Sequence, residues 1–171
     1  MLYLRRGVAV LVAVFATCAI AACSAPPAQS ETAATPAVTW HTAKATSQEL
    51  ERTVVALLPA EAVVEVDQAE TGDVDVCNSR EYRWLGITTV TLDESMTPGE
   101  AVAFIEARLG ELEWTLVPDH DVLRNRRLVA TDPKTATRIL VKGDGADEEI
   151  QIASTSPCFA SSNDVVPGPG Y

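Results

Sequence analysis

The last third of the chain contains two potential β-hairpins whose registers agree, and this agreement restricts the fold more than any other sequence feature. A turn at Asp132-Pro133-Lys134-Thr135 sets Thr131 opposite Ala136, Leu128 opposite Ile139 and Arg127 opposite Leu140. A loop from Gly143 to Glu148 sets Lys142 opposite Glu149, Val141 opposite Ile150 and Ile139 opposite Ile152. Both pairings put Leu128, Ile139, Val141, Ile150 and Ile152 on one face, and Arg127, Arg138, Lys142, Glu149 and Gln151 on the other. Alternation of this kind belongs to an antiparallel sheet covered on one side only.

Upstream signals supply the cover. Thr46-Ser47-Gln48-Glu49 has the form of a capping box, and Leu50, Val54, Leu57 and Leu58 follow at helical spacing up to Pro59. Thr97-Pro98-Gly99-Glu100 is a second capping box with proline at the first helical position. Ala101, Val102, Ile105 and Leu109 make its apolar stripe, and Gly110 is the expected left-handed stop, so the spacing predicts a helix over 98–109. Ala62 to Asp67 reads as a short strand leading into a loop at Gly72-Asp73-Val74-Asp75. Tyr82 to Leu92 reads as a longer strand in which both alternating sets contain apolar residues, so periodicity does not choose its buried face. Glu113 to Val117 is a further strand, ended by Pro118. The expected fold class is α+β: two helices on one face of a five- to six-stranded, mainly antiparallel sheet.

The amino terminus sets the organisation around that domain. Arg5 and Arg6 precede an apolar run from Gly7 to Ala19, which is too short for a bilayer core that needs roughly 20 helical residues. It is read as an export signal covering 1–22. The run ends in Ile20-Ala21-Ala22-Cys23, which resembles the lipobox of bacterial lipoprotein precursors. That resemblance implies cleavage before Cys23, lipidation of the Cys23 thiol, and a protein anchored to the outer, extracytoplasmic face of the cell membrane. Residues 23–45, rich in Pro, Ala and Thr, read as a flexible tether. Residues 46–160 are then one domain, and 161–171, which includes Pro-Gly-Pro-Gly-Tyr, a flexible tail. Lipobox, tether, two-cysteine α+β domain and acidic balance together resemble the small lipoproteins of actinobacteria, loosely of the LppA kind; this likeness of design carries over no functional residues.

Cysteine arithmetic follows from the same segment. Cys18 lies in the signal and Cys23 would carry lipid, which leaves Cys77 and Cys158 as the expected disulfide of an exported domain. A closed loop of roughly 80 residues is worth about 4 to 5 kcal/mol on the chain-entropy account.

Charge and motifs narrow the chemistry. Two of the 13 basic residues and none of the 24 acidic ones fall in the signal, so the remainder carries 11 cations against 24 anions, or −13. Such a chain repels phosphate backbones, so no nucleic-acid partner is expected. His41 and His120 are the only histidines, and no metal-binding or nucleophile–histidine pattern includes them. The acidic stretches at Asp73-Val74-Asp75 and 144–149 lack the spacing of a calcium loop, and the serines lack a Gly-x-Ser-x-Gly elbow. The expectation is therefore a non-enzymatic lipoprotein without metal or cofactor, binding an envelope protein or cell-wall component. A small-molecule or lipid carrier, and then a hydrolase, are the alternatives. Arg127, Arg138 and Lys142, the cations of the open face, are its candidate partner-binding residues; Arg124, Arg126 and Arg127 form the one basic cluster.

Overall fold

The computed structural model describes residues 38–144, 148–160 and 165–171. The segments read as signal, as lipobox with Cys23 and, for the most part, as tether lie outside them. The first helix, α1, spans Trp40–Val55, with Thr39 as N-cap accepting from the Thr42 backbone N–H at 3.3 Å. Its N-cap lies seven residues before that of the first expected capping box, so Thr46 lies within the helix. The domain therefore begins inside the segment read as tether.

After a 3₁₀ turn at Ala60–Ala62 come strands β1 (Val63–Gln68), β2 (Asp73–Asn78) and β3 (Glu81–Leu92). The second helix, α2 (Pro98–Gly110), has the predicted capping box in full: Thr97 and Glu100 bond reciprocally. Its end differs from expectation, because Gly110 stays helical and the left-handed residue is Glu113, at φ 61°. Strands β4 (Thr115–His120), β5 (Arg126–Thr131), β6 (Arg138–Asp144), β7 (Glu149–Thr155), β8 (Phe159–Ala160) and β9 (Gly168–Pro169) complete the order.

Among the described residues nine strands form one antiparallel sheet, three more than the six read from sequence. Its path runs β4-β5-β6-β7-β3-β2-β9, with β1 and β8 also paired to β3. The twelve-residue β3 takes β1 along its last part and β2 along its first part on one edge. The other edge takes β7 and then β8. The acidic segment read as a loop, Asp73-Val74-Asp75, is thus part of β2, with Val74 in the core. Pro118 lies within β4 rather than ending it; β4 pairs only with β5, and an edge strand tolerates a residue with no N–H to donate. The flexible-tail reading is corrected at 165–171. Val165 is buried, β9 pairs with Asp73 and Val74, and the Gly72 N–H donates to the Tyr171 carbonyl at 2.8 Å.

Both hairpin registers are displaced by two residues from the arithmetic. Leu128 pairs with Val141 and Arg127 with Lys142; Lys142 pairs with Gln151, and Glu149 with Asp144. The first connection closes between the Asp132 N–H and the Thr137 carbonyl, with Ala136 left-handed at φ 58°, which makes it wider than the four-residue turn assumed. Because side chains alternate with period two, such a shift leaves every residue on its predicted face. Leu128, Ile139, Val141, Ile150 and Ile152 are all fully buried, while Arg138 and Lys142 are exposed.

The helices lie on that buried face. Beneath α2 the core is apolar: Val102, Ile105 and Leu109 meet Leu128, Ala130, Ile139 and Val141. The helix sits close, since a Cβ on Gly143 would fall 2.7 Å from Pro98 Cβ. Beneath the middle of α1, between the buried Ala43 and Val54, the layer is polar. Ser47 and Glu51 face inward, where Glu51 accepts from Gln68 Nε2 at 2.9 Å, from Thr88 Oγ1 at 2.8 Å and from Ser154 Oγ. A second apolar cluster joins Ala43, Val74, Trp84, Phe159 and Val165, and Trp40 meets Tyr171 edge-on with ring centres 5.2 Å apart.

Candidate functional site

With both helices on one side, the opposite face of the sheet has no partner element among the described residues. Register places a continuous row of apolar side chains across its middle. Val117 pairs with Val129, Val129 with Leu140, Leu140 with Ala153, and Ala153 with Ile87. Val117 is 56 % and Ile87 40 % exposed, and the three between them are partly exposed. This row explains why β3 was ambiguous in sequence: both of its faces carry apolar residues because both meet apolar neighbours.

Cations border the row on each side. Toward the β5–β6 connection lie Thr115, Thr131, Arg138 and Thr155; toward the opposite end lie Asp119, Arg127, Lys142 and Gln151. Leu140 therefore sits between Arg138 and Lys142 on β6. Arg127 is tied to Asp119 across β4 and β5. The His120 backbone N–H and then that guanidinium hold the Asp119 carboxyl below the usual carboxylate range. Arg138 and Lys142 have no ion-pair partner among the described residues. The expected Lys142–Glu149 cross-strand pair is not formed, a direct result of the two-residue shift.

The remaining sequence candidates are dispersed. Arg126 pairs with Glu106 of α2 at 2.6 Å, on the helix side of the sheet. His120 ends β4, and Asp121 caps the following loop, accepting from the Leu123 and Asn125 backbone N–H groups at 2.8 Å each. His41 stacks on Trp40 with ring centres 3.5 Å apart, a packing role. Asp75 accepts from Arg83 at 2.6 Å; this guanidinium, followed by the Val76 N–H, depresses its pKa. Among the described residues no group of three or more His, Cys, Asp or Glu side chains is placed to hold a metal ion. The calcium candidate at 144–149 includes 145–147, which lie outside the described residues.

Cys77 and Cys158 are joined, with an S–S distance of 2.07 Å and Cα atoms 6.2 Å apart. Cys77 lies at the bulge of β2 and Cys158 immediately precedes β8, so the bridge links the two strands that flank the start of β3. This is where the sequence placed it. A cavity of about 270 Å³ lies between α1 and the β5–β6 connection, lined among others by Ala43, Thr46, Lys134, Thr137 and Pro157. No described helix is long and apolar enough to cross a membrane.

Sequence reasoning missed Val117, Val129, Leu140, Ala153 and Ile87 as a unit, because their meeting depends on four separate strand pairings. It also passed over Val122 and Leu123, two adjacent aliphatic residues in an otherwise polar turn, which was a signal it contained. No protein-family model, curated protein or solved structure matches this chain.

Proposed function

We propose that this chain is a non-enzymatic extracytoplasmic lipoprotein, anchored to the membrane through lipid on Cys23, whose open sheet face docks an envelope protein. The observation that carries the docking reading is the in-register apolar row with Arg138 and Lys142 on either side of Leu140. Exposed aliphatic side chains in a continuous row mark interaction surfaces, and the flanking cations select a partner with anionic groups beside an apolar strip. The apolar row favours a protein over a wall polymer, whose sugars and charges give aliphatic side chains little to bury. The carrier alternative has weaker support: the mainly apolar cavity between α1 and the β5–β6 connection is smaller than the roughly 300–1,000 Å³ common for small-molecule sites, and the larger clefts lie open on the surface.

The test is capture from detergent-solubilised envelope using the full lipidated chain. Leu140→Asp, and separately Arg138→Glu with Lys142→Glu, are expected to abolish recovery of a partner that the unaltered chain enriches, with melting temperature unchanged. Arg127 is a poorer choice, since its reversal strands Asp119 beside a second carboxylate. Equal capture by all three proteins sinks the docking reading. Failure of the unaltered chain to incorporate labelled palmitate, or incorporation that survives Cys23→Ala, sinks the anchor.

A further inference from the structure

Val122 and Leu123 are the most exposed large aliphatic residues among those described, at 99 % and 77 %. They form the tip of the connection between β4 and β5. The loop under them is tightly braced: Asp121 Oδ1 accepts from two backbone N–H groups, Asn125 Nδ2 donates to Asp121 Oδ2 at 3.0 Å, and the Asp121 N–H bonds the Asn125 carbonyl at 3.0 Å. Arg124 adopts a left-handed backbone at φ 67° to close it. Two aliphatic side chains are thus held outward on a built loop.

The charge around the tip is unlike that of the molecule. On a chain of net charge −11, Arg124, Arg126 and Arg127 fall within four consecutive positions just behind the two aliphatics; Arg126 and Arg127 are paired with Glu106 and Asp119, and Arg124 has no ion-pair partner among the described residues. Arg124 and Arg126 line a surface cleft of about 420 Å³ on the helix side of the tip. Lys142 lines a second one, with Leu123, on the open-face side. An aliphatic point collared by guanidinium and ammonium groups matches one surface chemistry in particular, the boundary between hydrocarbon and anionic headgroups of a bilayer. Apolar groups gain by entering the acyl boundary while the cations stay level with the phosphates.

We propose that the 121–125 loop is a membrane-contacting tip, with Val122 and Leu123 entering the interface of an anionic lipid bilayer and Arg124, with Lys142 beside Leu123, meeting lipid phosphates. The proposal rests on the anchored reading only for bringing a bilayer within reach. It gives the tethered domain a second point of attachment and a fixed orientation, with the β4–β5 end toward the lipid.

The test uses the full lipidated chain carrying Leu123→Cys labelled with an environment-sensitive fluorophore, reconstituted into vesicles of phosphatidylcholine alone or mixed with phosphatidylglycerol. The expected result is a blue-shifted emission and several-fold lower quenching by aqueous iodide in the anionic vesicles only. Val122→Asp, or Arg124→Glu, is expected to return the probe to its aqueous emission without changing the melting temperature. Protein that floats with the vesicles but keeps an aqueous probe in both overturns the tip proposal and leaves the anchor standing. Equal burial in both lipid mixtures also overturns it, because the cations then contribute nothing. Protein that does not float at all overturns the anchor instead.

Discussion

Glu51 is fully buried, and among the described residues its carboxyl is met by two hydroxyls and an amide rather than by a cation. Its donors come from β1, β3 and β7, so one side chain of α1 ties together three strands. The chain of contacts extends outward, because Arg52 donates to Gln68 Oε1 at 2.6 Å while Gln68 donates to Glu51. The same spot constrains the backbone below: a Cβ on Gly86 would lie 2.7 Å from Glu51 Oε1 and closer still to the Trp84 ring. Removing the carboxyl leaves the two buried hydroxyls of Thr88 and Ser154 without their acceptor, each costing on the order of 1–3 kcal/mol, while Gln68 Nε2 keeps its bond to the Gln48 carbonyl. Glu51→Ala is therefore expected to lower unfolding free energy by about 2–5 kcal/mol in a denaturant titration, and Glu51→Gln, which keeps volume and one acceptor, by distinctly less. A loss under about 1 kcal/mol for the alanine variant means the polar layer does not hold α1 in place.

At the scale of elements, α2 shows a local code acting as written. The Thr97 side chain accepts from the Glu100 N–H at 3.3 Å, and the Glu100 carboxyl accepts from the Thr97 N–H at 2.9 Å and from its hydroxyl at 2.7 Å. Those bonds, the backbone one first, hold the Glu100 carboxyl below its usual pKa. A carboxyl that binds its proton more weakly folded than unfolded adds stability above the unfolded pKa of about 4.3, and that stability is lost as pH falls through the lower folded value. Thr97→Ala is expected to lower stability by about 1 kcal/mol near neutrality. The difference between variant and parent should narrow below about pH 4, as the parent loses its carboxylate acceptor, and melting curves across pH 3–7 check this. A difference that widens on acidification contradicts the assignment. Helix α1 shows the opposite case. Its Thr46–Glu49 signature is internal, and packing of Trp40 against Tyr171 accompanies a start at Thr39 instead.

For the whole molecule, β3 is the hub and the disulfide clamps its beginning. Cys77 and Cys158 are 81 residues apart, a closure worth about 4–5 kcal/mol on the loop-entropy account. Cys158→Ser is expected to lower the melting temperature by on the order of 10 °C or more. Mass spectrometry of protein isolated from the envelope should find the two cysteines joined; two freely alkylated thiols there would remove the argument. The C-terminal segment belongs to the same end of the sheet. Val165 packs with Trp84 and Phe159, and β9 lies against β2, so this region is tied by covalent, apolar and backbone contacts together.

What the sequence determined by itself was a set of features that depend on neighbours a few residues apart. The α2 capping box, the inward and outward sets of β5, β6 and β7, and the pairing of Cys77 with Cys158 were all legible, because caps and side-chain alternation are local and elimination among four cysteines needs no geometry. The tertiary structure decided what depends on closure and on contact between distant segments. A two-residue register shift leaves the alternation pattern unchanged, so only the width of the Asp132–Thr137 connection could choose Leu128–Val141 over Leu128–Ile139. The strand character of Asp73–Asn78 and Gly168–Pro169 comes from the free edge of β3 and then of β2, since neither segment has the composition to form a strand alone. The open face follows the same logic: Val117, Val129, Leu140, Ala153 and Ile87 are unremarkable one at a time, and they become a surface only when four strand pairings bring them into one row.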